Sequence, residues 1–227
     1  MQLYIGNKNY SSWSLRPWLL LRQAGIPFEE RKLRLDWEDD SPFKRTLLAL
    51  APSGRVPLLV DDDGFAVWDS LAIAEYLAER FPQKALWPAD AKARARARSI
   101  CAEMHAGFGD LRATFCMNLE AHLPEVGVRM LAEKPGAARD LKRIDAIWDE
   151  ALAASGGPFL FGAFGIADAY YAPVASRVRT YGLPVGARSA AYVERLLALP
   201  AFLEWEKEGL AEHDWIADDE PYRTKPA

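Results

Sequence analysis

The segment Gly54-Arg55-Val56-Pro57-Leu58-Leu59-Val60 places an apolar strand directly behind a proline. Proline cannot donate to a ladder, so it belongs at a strand start or edge. With a cis Val56–Pro57 bond the chain would turn sharply there. The N–H and C=O of Val56 would then face outward, and an exposed backbone pair binds a peptide as if it were another strand. Twelve residues after Pro57, Asp69-Ser70 stands where a helix should begin. Its hydroxyl and the free N–H groups of a first turn suit a carboxylate. Together these residues describe a pocket for a small peptide-like acid.

The elements that must position them are legible in outline. Met1–Gly6 reads as a short buried strand, and Asn7–Ser12 as a polar loop. Ser14 is a suitable N-cap for a helix from Leu15 to about Ala24. Pro17 then falls in the first turn, where a missing N–H costs little. Gly25 closes that helix. Phe28–Leu35 alternates charged and apolar residues, as a half-buried strand does. Ser41-Pro42 opens a helix through Leu50. Leu58–Val60 and Phe65–Trp68 flank Asp61-Asp62-Asp63-Gly64, a hairpin turn. Ser70–Phe81 carries apolar residues at helical spacing. Residues 1–81 therefore form an α/β unit, 82–88 a linker, and 89–227 an alanine-rich all-helical unit. Ala91–Glu120 is one long helix or two broken at Gly107 and Gly109. Leu141, Ile144, Trp148 and Leu152 form an apolar stripe. Asp168, third after Gly165, is placed to return a carboxylate to the free N–H of the cap residue.

Leu3-Tyr4-Ile5-Gly6, the run Tyr10-Ser11-Ser12-Trp13-Ser14-Leu15-Arg16-Pro17-Trp18, Val56-Pro57 and Asp69-Ser70 occur in this order. The whole resembles a cytosolic glutathione transferase from about residue 1 to about residue 210. That resemblance implies a thioredoxin-like N-terminal domain that binds glutathione. A helical domain would supply the pocket for a second substrate. Glutathione is then a co-substrate, and no metal is needed. A thiol is nucleophilic only as its thiolate, so the site must favour the anion near pH 7. Hydroxyl donors and a helix N-terminus do that by hydrogen bonding and by the helix dipole. The serine run is similar to the zeta class, where the first serine, here Ser11, carries activation. Theta- and delta-like enzymes place it one position nearer the arginine, at Ser12. Beta-class enzymes have Cys-Ser-Leu, which Ser14-Leu15 matches while Trp13 replaces the cysteine. The order of preference is Ser12, Ser11, Ser14, with the tyrosine alternatives Tyr10 and Tyr4. Without a cysteine in the loop no mixed disulfide with glutathione forms there, which disfavours thiol–disulfide reductase chemistry.

By the same resemblance the Val56 backbone pairs with the cysteinyl part of glutathione. Asp69 takes its α-amino group and Ser70 its α-carboxylate. Arg55 or Lys44 would take the glycyl carboxylate. Arg16 is expected to be structural and paired with an acidic residue. Met104, His105 and Phe108 either line a pocket for a small hydrophobic electrophile or pack between the domains. Trp37 either rims that pocket or locks into a second subunit. The tail from Asp214 to Ala227 either folds over the site or hangs free. Homodimerisation is implied by the family alone.

Composition bounds the rest. A chain of 227 residues, half of them hydrophobic, can bury a sizeable core. A net charge of −4 argues against a general nucleic-acid binder. No apolar run approaches the roughly 18 residues of a membrane span, and no signal-peptide pattern is visible, so a cytoplasmic protein is expected. Cys101 and Cys116 do not make a disulfide framework. One histidine without a partner at i+4 is no metal site. Three functions remain: glutathione conjugation to an electrophile, glutathione-dependent cis–trans isomerisation of the maleylacetoacetate type, and a non-catalytic binding protein of the same fold.

Overall fold

The computed structural model describes residues 1–225; Pro226 and Ala227, the end of the expected tail and helical unit, lie outside the described residues. A four-stranded sheet has the order β2-β1-β3-β4. Strand β1 (Gln2–Ile5) pairs in parallel with β2 (Glu29–Lys32) and antiparallel with β3 (Leu58–Val60), with Leu3 opposite Leu59. Strand β4 (Ala66–Trp68) closes the other edge against β3. Parallel neighbours need a crossover, and helix α1 (Ser12–Gln23) provides it. The expected strand 28–35 shrinks to Glu29–Lys32 because it is an edge with one partner, and of its charged side chains all but the half-buried Glu30 stay in solvent. The Asp61–Gly64 turn forms as expected, with Gly64 at φ +86° and Asp61 N–H bonded to the Phe65 carbonyl at 2.8 Å.

Helix α1 begins three residues earlier than the serine pattern suggests. Ser11 is its N-cap. Ser14 is therefore not a cap but a residue of the first turn, fully buried, whose hydroxyl accepts the Gly6 N–H at 3.1 Å. Pro17 correspondingly lies inside the helix, where its ring nitrogen leaves the Trp13 carbonyl without the usual i+4 donor. Helix α2 (Pro42–Leu48) is capped by the Ser41 hydroxyl, which accepts from Lys44 N–H. Helix α3 (Ser70–Arg80) follows β4 directly.

The chain then becomes all-helical. Helices α4 (Ala91–Ala106) and α5 (Gly109–Thr114) are separate. The break falls at Gly107, where a Cβ would meet the Glu103 carbonyl at 2.7 Å, and Phe108 turns the chain at φ +56°. Helices α6 (Pro124–Glu133) and α7 (Pro135–Ser155) precede the central helix α8 (Ile166–Tyr181). Every residue of α8 except Arg179 is buried, as a helix wrapped on all sides must be. Helices α9 (Ala187–Leu197) and α10 (Pro200–Leu210) complete the shell. Helix α1 packs on α8 and α10, so one apolar core runs from Leu3 and Trp18 through Tyr170 to Trp205. The architecture is a thioredoxin-like α/β layer followed by an all-α unit. Lys8 is buried across this seam, paired with Glu30 and Glu208 and 4.6 Å from the Trp18 ring centre.

Candidate functional site

Two cavities meet at the N-terminus of α1 and share Trp13 and Val56 as a common wall. The first, about 370 Å³, is bounded by Arg55, Val56, Asp69, Ser70 and His105. The second, about 410 Å³, is bounded by Tyr10, Ser11, Ser12, Arg112, Arg177 and Asp219.

In the first cavity the Val56–Pro57 bond is cis. No backbone hydrogen bond engages Val56 among the described residues. Asp69 sits at φ +76° as the N-cap of α3, and one carboxylate oxygen accepts the N–H of Leu71 at 2.8 Å. A non-glycine residue at positive φ costs energy and tends to persist where the site requires it. The other oxygen, Oδ2, is 3.2 Å from Nε2 of His105. Nδ1 of His105 is buried without a partner among the described residues. The Ser70 hydroxyl is shared with the Tyr170 hydroxyl at 3.0 Å. Arg55 is exposed on the rim. Lys44 lines neither cavity; its ammonium lies 3.4 Å from the Gly54 carbonyl. The sequence left His105 as either a pocket or a packing residue. It faces Asp69, whereas Met104 and Phe108 are core.

The three serines are separated by the early helix start. Ser11 is buried and donates its hydroxyl to Ser14 at 2.7 Å. Ser14, fully buried, reaches neither cavity, which removes it as a candidate for contact with a bound sulfur. The half-buried Ser12 is the first residue of α1, and its hydroxyl makes no hydrogen bond among the described residues. It therefore combines a free donor with the positive end of the helix dipole.

Arg16 has no acidic partner among the described residues. Its guanidinium, 3% exposed, is sandwiched 4.2 Å from the Trp13 ring centre and 4.5 Å from that of Tyr170, with Nε and Nη1 unpaired. Burial pushes it down to about 10. Stacking between two aromatic faces replaces the expected ion pair. Trp13 meets His105 edge to face at 5.3 Å, so the residue standing in the cysteine position is a wall between the cavities.

The tail folds over the second cavity. Tyr10 donates to Glu220 at 2.7 Å and is also 3.0 Å from the Asp214 carbonyl. Asn118 donates to the same Glu220 carboxylate at 2.8 Å. Burial, and then Glu220, pushes the Tyr10 hydroxyl well above its ordinary range, which unsuits it for sharing a proton with a thiol at pH 7. Tyr4 lies away from both cavities and bonds Gln2. Tyr10→Phe is expected to cost about 1.5–3 kcal/mol in urea unfolding, the range for hydrogen bonds to charged groups. A loss near zero would mean the tail is not held through this residue. Trp37 borders the second cavity and packs on Phe43 at 5.6 Å. Arg112, Arg177 and Asp219 were not singled out from sequence. The only signal available was an arginine inside the apolar run Ala172–Val178. Among the described residues no group of side chains has the makings of a metal site, and no helix is long and apolar enough to cross a membrane.

Residues 10–80 match the family model of the glutathione S-transferase N-terminal domain, and residues 91–208 that of the glutathione S-transferase C-terminal domain. Over 119 residues the chain is 35% identical to a maleylacetoacetate isomerase from Pseudomonas aeruginosa, covering 52% of this chain and 55% of that one. The chain thus spans about half the length of that curated relative, and 46% of a maleylpyruvate isomerase from Ralstonia at 36% identity. Glutathione S-transferase GstB from Escherichia coli is 28% identical over 73% of this chain and 77% of its own. Among solved structures, a glutathione transferase homologue from Burkholderia with bound glutathione superposes with a TM-score of 0.68 at 27% identity. That match covers 93% of this chain and 98% of that one.

Proposed function

The chain belongs to the glutathione S-transferase family, and we propose that it binds glutathione in the first cavity and conjugates it to a small electrophile held in the second. Residues 1–81 would hold glutathione, and the helical remainder from residue 89 would form most of the second cavity. The observation that carries this reading is Ser12: a free hydroxyl on the first turn of α1, bordering the second cavity beside the Trp13–Val56 wall. A sulfur docked at that wall would receive the hydroxyl donor and the helix N-terminus, both of which favour the thiolate. The thiol proton leaves to solvent, sulfur forms a bond to the electrophilic carbon, and the displaced group departs with its electron pair.

The unengaged Val56 backbone suits the cysteinyl amide. Asp69 suits an α-amino group, and the Ser70 hydroxyl with the free N–H groups of the first turn of α3 suits an α-carboxylate. Arg55, on the rim, is better placed than Lys44 for the glycyl carboxylate. Asp69→Asn keeps the cap of α3 and removes only the charge. It is expected to weaken glutathione binding about tenfold or more by calorimetry, the loss of one charge-assisted contact. An unchanged Kd would argue against this orientation of glutathione.

A second reading is glutathione-dependent cis–trans isomerisation, favoured by the similarity to the two isomerases. There the same thiolate would add to a double bond and leave after rotation. Turnover of a maleyl keto acid in preference to an aryl halide would support it. A cytoplasmic, detoxifying homodimer is the accompanying proposal, and its subunit count is testable by light scattering.

A further inference from the structure

Ser12 is placed by the loop that precedes it, and that loop is held from the far end of the chain. Asn7, Lys8 and Asn9 are polar yet buried, which persists only where each polar group finds a partner. The N–H groups of Lys8 and Asn9 lie past the end of β1 and have no backbone acceptor among the described residues. Both donate to one carboxylate, that of Glu212, at 2.8 and 3.3 Å. Glu212 stands two residues beyond α10, and its side chain is only 1% exposed. The Lys32 ammonium, 3.0 Å away, balances its charge. His213 follows at φ +53°, a strained backbone position of the kind that persists where the surrounding structure requires it. The helical unit holds the same loop twice more. Trp205 Nε1 donates to the Lys8 carbonyl at 2.9 Å, and Asn9 Oδ1 accepts the Leu119 N–H at 2.7 Å. From there a closed turn leads to the helix: the Asn7 carbonyl accepts the Ser11 N–H at 2.8 Å, and the Tyr10 carbonyl accepts the Ser12 N–H at 2.9 Å. A shift of Lys8 and Asn9 is therefore carried to the first turn of α1.

We propose that Glu212 is a positioning residue for thiol activation: its carboxylate ties the Lys8 and Asn9 N–H groups to the helical unit and so fixes the Ser12 hydroxyl and the N-terminus of α1 against the bound sulfur. This rests on the reading that a glutathione thiol is presented at Ser12. Glu212 lines neither cavity, so it acts through the loop and not by touching glutathione. Hydrogen bonds to an ionised acceptor are the stronger kind, and a donor displaced by about 1 Å can cost about a hundredfold in rate. The sign of the effect separates positioning from a plain charge effect. A nearby negative charge acting directly disfavours a thiolate, so its removal would favour the anion. Loss of positioning does the opposite.

The test applies two readouts to the full chain: amide hydrogen exchange over residues 7–15 without ligand, and the thiolate band of bound glutathione at fixed pH. In Glu212→Ala the amides of Lys8, Asn9, Ser11 and Ser12 should exchange about tenfold or more faster, as loss of hydrogen bonds to a charged acceptor allows. The thiolate-to-thiol ratio of bound glutathione should fall about tenfold or more, while its Kd moves far less. Added to Ser12→Ala, the same change should lower the ratio little further. Glu212→Gln keeps the shape and one acceptor oxygen, and a smaller fall of the same sign there keeps the test decisive if Glu212→Ala does not fold. A ratio that rises, a ratio that stays unchanged, or an equal fall in the Ser12→Ala background would each overturn the proposal. If the wild type binds no glutathione, the transferase reading fails and exchange alone decides the clamp. Faster exchange that reaches the Ser12 amide would then support it, and faster exchange confined to Lys8 and Asn9 would overturn it.

Discussion

Replacing Ser12 by alanine is expected to lower kcat/KM for glutathione conjugation by about a hundredfold or more, the usual cost of removing one preorganised donor from a developing or bound anion. Ser12 is the serine whose hydroxyl is free, half-buried and on the cavity wall. The Kd of glutathione should move far less than kcat, because Val56, Asp69 and Ser70 act on the rest of the molecule. Ser11→Ala should have a smaller effect, since the Ser11 hydroxyl is spent on Ser14. Ser14→Ala should act on stability, because it unpairs the buried Gly6 N–H. A hundredfold loss in Ser11→Ala with Ser12→Ala near wild type would reverse the assignment.

The largest stability effect is expected at Asp168. This carboxylate is 1% exposed and receives three donors: Leu160 N–H at 3.1 Å, Gly165 N–H at 2.9 Å and the Tyr192 hydroxyl at 3.0 Å. It ties the start of the central helix to the loop before it and to α9. Gly165 has no side chain to complete a reciprocal box, so Asp168 carries the cap alone. Asp168→Ala leaves the buried Leu160 N–H, the half-buried Gly165 N–H and the buried Tyr192 hydroxyl unpaired, and should cost on the order of 3–5 kcal/mol in urea unfolding. The pH dependence follows from its raised value. Burial moves the carboxyl from 3.8 to about 6 in the folded chain, against the opposing pull of the hydrogen bonds. Between about pH 4 and 6 the folded state holds a proton that the unfolded state has released. The contribution of Asp168 is therefore fully present below about pH 4 and is lost as pH rises to about 6. Compared with Asp168→Asn, which does not titrate, the wild type should lose roughly 3 kcal/mol across that window. A flat difference would contradict the raised value.

Much of this was legible because local chemistry and global fold agree. Gly54-Arg55-Val56-Pro57 followed by the continuous apolar run Leu58-Leu59-Val60, and the Asp61–Gly64 turn, specify a hairpin with little room for alternatives. The stripe Leu141–Leu152 is buried along α7 as its spacing predicts. The start of α1 was misplaced because Ser11, Ser12 and Ser14 are all good caps, and only the tertiary bond from Gly6 N–H to Ser14 decides among them. That same three-residue shift separates a sealed serine from an accessible one. The partners of Arg16 were misread because an ion pair leaves a charge pattern in sequence, whereas a guanidinium between Trp13 and Tyr170 leaves none. Arg112 and Arg177 lie on helices α5 and α8, and only the packing of those helices brings them to one cavity. The tail was ambiguous for a similar reason: Tyr10, Asn118 and Glu220 are far apart in the chain and each is unremarkable alone.

The most direct test of the central claim is an ultraviolet difference titration of glutathione with the protein, following the thiolate band against pH. Enzyme-bound glutathione is expected to ionise well below the ordinary thiol value of about 8.5, and Ser12→Ala should return it towards that value while glutathione stays bound. Bound glutathione with an unshifted thiol in the wild type, or a shift that survives Ser12→Ala, would contradict serine activation at this site.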